Sequence, residues 1–166
     1  MAATPRQLLL MRHAEAVNFA PGLGDIDRPL TEEGKAQAGR VADWFADAGL
    51  TVDHVLCSAA VRTRETFELL GLAAPVMHTE EIYNAGSDTI RAVLAGADPQ
   101  AATVLVVGHA PGVPALVDDL ADPATTDPET MQGLSRGFPT ATLVGIEITG
   151  DWAAPGPGRV AFVVHG

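Results

Sequence analysis

This sequence predicts a three-layer α/β/α sandwich with a mostly parallel central sheet and an antiparallel C-terminal edge strand. Three observations carry that prediction. Short unbroken apolar runs, the mark of strands buried on both faces, occur along the chain. Most of them are followed by a stretch with helical apolar spacing, the order expected of α/β units. Two β-branched runs then close the chain with no helical stretch between them. The 166 residues show no internal repeat and no dividing linker, so residues 1–166 read as a single domain.

Taken in order, 8–11 (Leu-Leu-Leu-Met) is the first strand, ending at the polar stretch Arg12, His13, Ala14, Glu15. A loop rich in Gly, Pro and Asp covers 18–29. A helix enters at Leu30 and Thr31, with Thr31 as N-cap and Glu32 and Glu33 well placed in its first turn. Ala36, Val41, Trp44 and Phe45 give it an apolar stripe, and it ends near Gly49. The second strand is 54–57, followed by a helix over 61–70 that stops at Gly71. Residues 75–78 form a short strand and 88–94 a helix. Residues 103–107 (Thr-Val-Leu-Val-Val) are a strand running into Gly108, His109, Ala110, Pro111 and Gly112, with a helix over 114–120 behind it. Residues 121–137, polar and broken by Pro123 and Pro128, read as a long loop with room for one helical turn. Residues 140–148 and 159–164 form a terminal hairpin joined by a Gly/Pro-rich connection.

Composition narrows the function. A formal charge of −11, with Lys35 as the only lysine, excludes the clustered basic surface that nucleic-acid binding needs. One cysteine, Cys57, excludes an intramolecular disulfide framework or a Cys-rich metal cluster. No apolar stretch approaches the ~20 residues of a membrane span, and 1–7 lacks the apolar centre of a secretion signal. A soluble, cytoplasmic protein without nucleic-acid or membrane partners is the expectation. Oligomeric state is not legible.

Ligands of open parallel sheets bind beyond the carboxyl ends of the strands. The first strand delivers Arg12 and His13 there, the second Ser58 with Arg62 one helical turn on, and the 103–107 strand His109. Two histidines and two arginines in so acidic a chain are a local inversion of sign, and planar Arg forks prefer phosphate or carboxylate. At ~4 Å and an effective dielectric of ~20, each Arg–phosphate contact is worth about 4 kcal/mol of Coulomb energy per unit charge before desolvation. Surface carboxylates further than roughly 8–10 Å are screened by salt. The expected ligand is therefore an anion bearing phosphate or carboxylate.

Four segments in order then carry a resemblance. The run Leu8, Leu9, Leu10, Met11, Arg12, His13, Ala14, Glu15 resembles the Arg-His-Gly signature of the histidine phosphatase (phosphoglycerate-mutase-like) superfamily. Asp27-Arg28-Pro29-Leu30-Thr31-x-x-Gly34 resembles its Asp-x-Pro-Leu-Thr-x-x-Gly helix entry. Ser58-x-x-x-Arg62-x-x-x-Thr66 resembles its Ser-x-x-x-Arg-Ala-x-x-Thr segment. Val106, Val107, Gly108, His109, Ala110, Pro111, Gly112 is similar to the Val-Gly-His-Asn-Pro-Gly segment of the SixA-type phosphohistidine phosphatase branch. The resemblance spans 8–162, and the short chain and the Asp151-Trp152 pair suit that branch.

It implies hydrolysis of a phosphohistidine protein or a small phosphomonoester without a metal or other cofactor. His13 would be the nucleophile that becomes a transient phosphohistidine, while Arg12, Arg62 and His109 hold the phosphoryl oxygens. Ser58 and Arg28 are further candidates for touching substrate. Glu80 fits the family's general acid better than Glu81, and removing it is expected to slow monoesters about a hundredfold while sparing phosphohistidine, whose imidazole leaves easily. The alternatives are a non-catalytic phosphate- or phosphoprotein-binding module of the same fold, a phosphomutase, and a metal-dependent hydrolase. The last is disfavoured because no His-x-x-x-His or similar spacing exists.

Blander readings cover the rest. His54, His78 and His165 are structural or surface residues, and Ser58 caps the following helix as readily as it binds phosphate. Arg28 and Arg64 fit surface ion pairs, Asp25 and Asp27 orient Arg28 or cap the loop, and Glu80 and Glu81 fit a solvated face. Cys57 reads as buried packing, with nothing near in sequence to lower its pKa. No P-loop and no Gly-x-Gly-x-x-Gly is present, and 121–137 is the loop in which selectivity could reside.

Overall fold

A computed structural model describes residues 5–166; the reading of 1–4 as part of a start without a secretion signal lies outside them. Six strands form one sheet in the order β3-β2-β4-β1-β5-β6. These are β1 (Arg6–Arg12), β2 (His54–Ser58), β3 (Val76–Thr79), β4 (Thr103–Gly108), β5 (Thr142–Asp151) and β6 (Ala154–His165). β1 to β4 pair in parallel, while β5 runs antiparallel to β1 and β6 antiparallel to β5. The predicted mostly parallel sheet with an antiparallel C-terminal edge is what the chain forms.

Alternate residues of the buried strands serve opposite layers. Leu8, Leu10, Val104 and Val106 face one side, against Ile90, Val93 and Leu94 of α3 (Ser87–Leu94) and Val113, Leu116 and Val117 of α4 (Gly112–Leu120). Leu9, Met11, Leu105 and Val107 face the other, against Val41 and Phe45 of α1 (Glu32–Ala48) and Leu70 of α2 (Val61–Leu70). Leu8, Leu9 and Leu10 are wholly buried, each contributing roughly 2 kcal/mol of apolar burial. No helix among the described residues is long and apolar enough to cross a membrane.

α1 has the predicted caps. The Thr31 hydroxyl oxygen accepts from the Gly34 amide, and Gly49 closes the helix in the left-handed region. Gly34 itself lies so close to the backbone after His13 that a Cβ there would sit 2.0 Å from the Glu15 carbonyl oxygen.

Two expectations need correction. The loop predicted over 121–137 contains α5 (Pro128–Ser135), two turns rather than one, with Pro128 at its start, where a missing N–H costs nothing. The Gly/Pro-rich stretch expected to join the hairpin is itself strand: β6 begins at Ala154, and the reversal is confined to Trp152 and Ala153. β6 is the sheet edge, where proline is tolerated because one side of the strand needs no donors.

Candidate active site

The parallel register of two central strands decides where the histidines go. β1 pairs with β4 so that Met11 faces Val107 and Arg12 faces Gly108. The next residues, His13 and His109, therefore leave the sheet side by side, with ring centroids 5.2 Å apart. The His13 amide completes the ladder by donating to the Gly108 carbonyl at 3.0 Å. Beside them α2 brings Arg62, buried to 4 % exposure, and the 3-10 turn Asp25–Asp27 ends at Arg28. Arg12, His13, Arg28, Arg62 and His109 line one cleft of about 280 Å³.

His13 is held for reaction at one nitrogen. Nδ1 lies 2.6 Å from the Ala14 carbonyl oxygen, which as an acceptor requires Nδ1 to carry the proton. Nε2 is then the unprotonated nitrogen with the free lone pair. Burial pushes the pKa down to about 4; the Ala14 bond opposes that, and Arg62, Arg12 and Arg28 add to it. The ring stays neutral at neutral pH.

His109 is neutral too, lowered to about 3 by burial and then by His13 and Arg62. Its Nε2 lies 2.8 Å from the Ser58 hydroxyl oxygen, which accepts from the Ala60 amide at 3.3 Å. His109 Nδ1 is buried and has no protein partner. Arg12 Nε and Arg62 Nε are buried and unpartnered in the same way. Three residues lining one cleft thus each carry a buried side-chain nitrogen without a protein partner.

The arginines are also anchored. Arg12 Nη1 donates to the Phe138 carbonyl at 2.9 Å, and Arg28 Nη1 to the Val17 carbonyl at 2.7 Å. Asp25 accepts Arg28 Nε on Oδ1 at 3.0 Å and Arg62 Nη2 on Oδ2 at 3.3 Å. The Tyr83 hydroxyl donates to the same Oδ2, and chiefly for that reason the Asp25 carboxyl lies low, at about 2.

Two predicted contacts fall elsewhere. Ser58 is fully buried and is not among the residues lining the cleft; it touches His109 and accepts from the Ala60 amide, but it does not cap the following helix, whose N-cap is Ala60 without a side-chain cap. Glu80 is exposed and likewise absent from the lining. It opens the 3-10 turn Glu80–Ile82, in which Ile82 is the residue buried in the core, and the cleft receives Asn84 from just beyond it. Asn84 has a left-handed backbone, φ 56°, which Asn tolerates better than most residues.

Three polar lining residues escaped sequence reasoning. Asn84 and Thr140 lie outside every motif, and Glu15, within the first motif, is the only carboxylate among the lining residues. Glu15 Oε1 accepts from the Thr31 hydroxyl at 2.8 Å. The signal for Glu15 was its position two residues after His13; nothing in spacing marks the other two.

Elsewhere the bland readings hold. His54 Nδ1 accepts from the Asp98 amide, and His165 pairs with the Thr142 hydroxyl. Cys57 is buried and its thiol is pushed up to about 12, so it is inert. Among the described residues, no three His, Cys, Asp or Glu side chains group as a metal-binding set.

Comparison with known proteins agrees with this geometry. Residues 8–86 match the family model described as histidine phosphatase superfamily (branch 1). The phosphohistidine phosphatase SixA of Escherichia coli (strain K12) is 30% identical over 128 residues, covering 74% of this chain and 78% of that protein. An uncharacterised protein of Mycobacterium tuberculosis (strain H37Rv) is 36% identical over 153 residues, 92% of this chain and 96% of the relative. A solved structure assigned as a phosphohistidine phosphatase SixA from Nakamurella multipartitia superposes with a TM-score of 0.86 at 37% identity, covering 98% of this chain and 97% of that one. The protein histidine phosphatase SixA complexed with tungstate superposes at 0.75 with 27% identity, covering 96% of both chains.

Proposed function

The chain belongs to the histidine phosphatase superfamily, and from that premise we propose that it hydrolyses phosphohistidine through a covalent intermediate on His13, without a metal. The observation that carries the reading is the His13 ring, whose Nδ1–H is committed to the Ala14 carbonyl so that Nε2 is nucleophilic, inside a cleft lined by Arg12, Arg62 and His109. Nε2 attacks phosphorus; a bond from phosphorus to Nε2 forms as the bond to the substrate's imidazole nitrogen breaks. The substrate's ring, protonated by solvent on its other nitrogen before cleavage, departs as neutral imidazole. Water then cleaves the phosphorus–Nε2 bond, releasing phosphate and restoring His13. The arginines, with a neutral His109, bind the oxygens over which charge spreads in the transition state.

The choice of phosphohistidine over a phosphomonoester rests on the leaving group. An alkoxide leaves poorly without a proton donor, and Glu80, the donor expected from sequence, is not among the cleft-lining residues. A phosphohistidine ring protonated by solvent on its other nitrogen leaves as neutral imidazole, whose conjugate-acid pKa is about 6.5, and needs no donor from the protein. The similarity to proteins named phosphohistidine phosphatase supports the same choice. A phosphomonoesterase is the second reading, because Glu15 does line the cleft.

The test is a trapping experiment with a ³²P-phosphohistidine peptide and a phosphate monoester side by side. Label should appear on His13 as an alkali-stable, acid-labile adduct, and His13→Ala should abolish both label and turnover. Glu80→Gln should leave both substrates unchanged, whereas a monoester rate that falls with Glu15→Gln supports the second reading. Phosphate binding without turnover by the wild type would make the protein a binding module. Activity lost to EDTA and restored by a divalent ion would make it a metal-dependent hydrolase.

A further inference from the structure

We infer that Asp25 is a positioning residue: with Tyr83 it forms a hub that fixes Arg62 and Arg28 in one cationic wall and backs the ring of His109. Its effect on turnover rests on the phosphatase reading; its effect on anion binding does not.

Asp25 is not among the cleft-lining residues, and its side chain is half exposed, so core packing does not explain it. What distinguishes it is how many groups of the cleft converge on it. Oδ1 takes Arg28 Nε, Oδ2 takes Arg62 Nη2 and the Tyr83 hydroxyl, and its backbone carbonyl takes Arg62 Nη1 at 2.7 Å. Tyr83 extends the hub: the Arg62 guanidinium lies 5.7 Å above its ring, and the ring meets His109 edge-to-face at 5.6 Å. Three chain segments, with Arg62 and Tyr83 lying 37 and 58 residues beyond Asp25, are thereby locked to one carboxylate.

The chemistry needs a carboxylate at this point. An ionised carboxylate accepts on two oxygens with about four lone-pair sites, enough for two guanidinium donors and a hydroxyl at once. An asparagine turns one of those oxygens into a donor facing other donors. Arginine side chains are rich in rotamer entropy, so fixing two of them before the anion arrives removes that cost from binding. It also sets the fork for the trigonal-bipyramidal arrangement of phosphoryl transfer, where misplacement by about 1 Å can cost a hundredfold.

Vanadate, which mimics that arrangement, and inorganic phosphate, which resembles the product, are the probes. Asp25→Ala should lower kcat/KM on phosphohistidine roughly ten- to a hundredfold and weaken vanadate more than phosphate. Asp25→Asn should fall between it and wild type. In an Arg62→Ala background, Asp25→Ala should cost less than in the wild type, because one of the two arginines it holds is gone. Wild-type affinity of Asp25→Ala for both anions overturns the inference, and so do multiplicative effects of the two substitutions. If Asp25→Ala does not fold, Tyr83→Phe, which removes one donor to the hub, should still weaken vanadate several-fold; an unchanged value overturns the inference. A wild type that binds both anions without turning over any phosphorylated substrate, with Asp25→Ala still discriminating between them, fells the phosphatase reading and leaves the hub standing.

Discussion

The buried central strands of the parallel half and the more exposed antiparallel hairpin are intolerant of change for different reasons. β1 and β4 run straight into the cleft residues His13 and His109, and β2 leads into the helix that carries Arg62, while their apolar interiors hold register. The β5–β6 hairpin lends the cleft Thr140 from just before its first strand. Its constraint is steric: a Cβ on Gly158 would sit 1.7 Å from the Glu147 carbonyl oxygen, within a bulged stretch of the pairing. Substitutions at the strand ends should silence the protein without unfolding it, and substitutions in the hairpin should do the reverse.

The largest effect that sharpens this contrast is expected at Arg62. Arg62→Ala should lower kcat/KM by roughly 10²–10³, the scale of losing a preorganised electrostatic donor, with the melting temperature nearly kept. A comparable loss of stability instead would place Arg62 among the packing residues.

Next comes pH. His13 is held near 4 against an ordinary 6.5, so between those values the unfolded chain binds a proton that the folded chain refuses. Stability at neutral pH is therefore lost as pH falls from about 6.5 toward 4, on the order of 3 kcal/mol for His13 alone, with His109 acting in the same direction. Denaturant titrations at a series of pH values read this, and His13→Gln should flatten its share. A wild-type curve that stays flat through that window would mean that the ring charges in the folded protein.

On the hairpin side, Gly158→Ala should cost about 1–3 kcal/mol of unfolding free energy while leaving kcat/KM of the folded fraction intact. Loss of turnover in a fully folded Gly158→Ala protein would break the contrast. The smallest effect belongs to Ser58→Ala, which frees the His109 ring. About tenfold in kcat is expected, the cost of one hydrogen bond of about 1.4 kcal/mol, with phosphate affinity less affected. Equal losses in both would make Ser58 a ligand of the anion itself.

Local signals carried most of the fold into view. Thr31 and Gly49 bracket α1 because capping is chemistry of single residues, and the unbroken apolar runs mark strands because burial on both faces tolerates nothing else. α5 escaped because it buries no residue completely, so its stripe is faint, although Pro128 stands where helices favour proline. The reach of β6 through Pro155 and Pro157 escaped because an edge position, which makes them acceptable, is a property of the assembled sheet. In the cleft, His13, Arg12, Arg62 and His109 were legible from strand ends, whereas the outward turn of Glu80 depends on Ile82 being drawn into the core. The meeting of Asp25 with Tyr83 joins residues 58 apart, beyond any local pattern.

The tight space between Gly34 and the Glu15 carbonyl ties a surface helix to the segment that carries His13. A single methyl at that spot has nowhere to go except into the strap that carries positions 13–15. A random-mutagenesis screen for dead enzyme should therefore return Gly34 alongside the cleft residues, a casualty that never meets a phosphate.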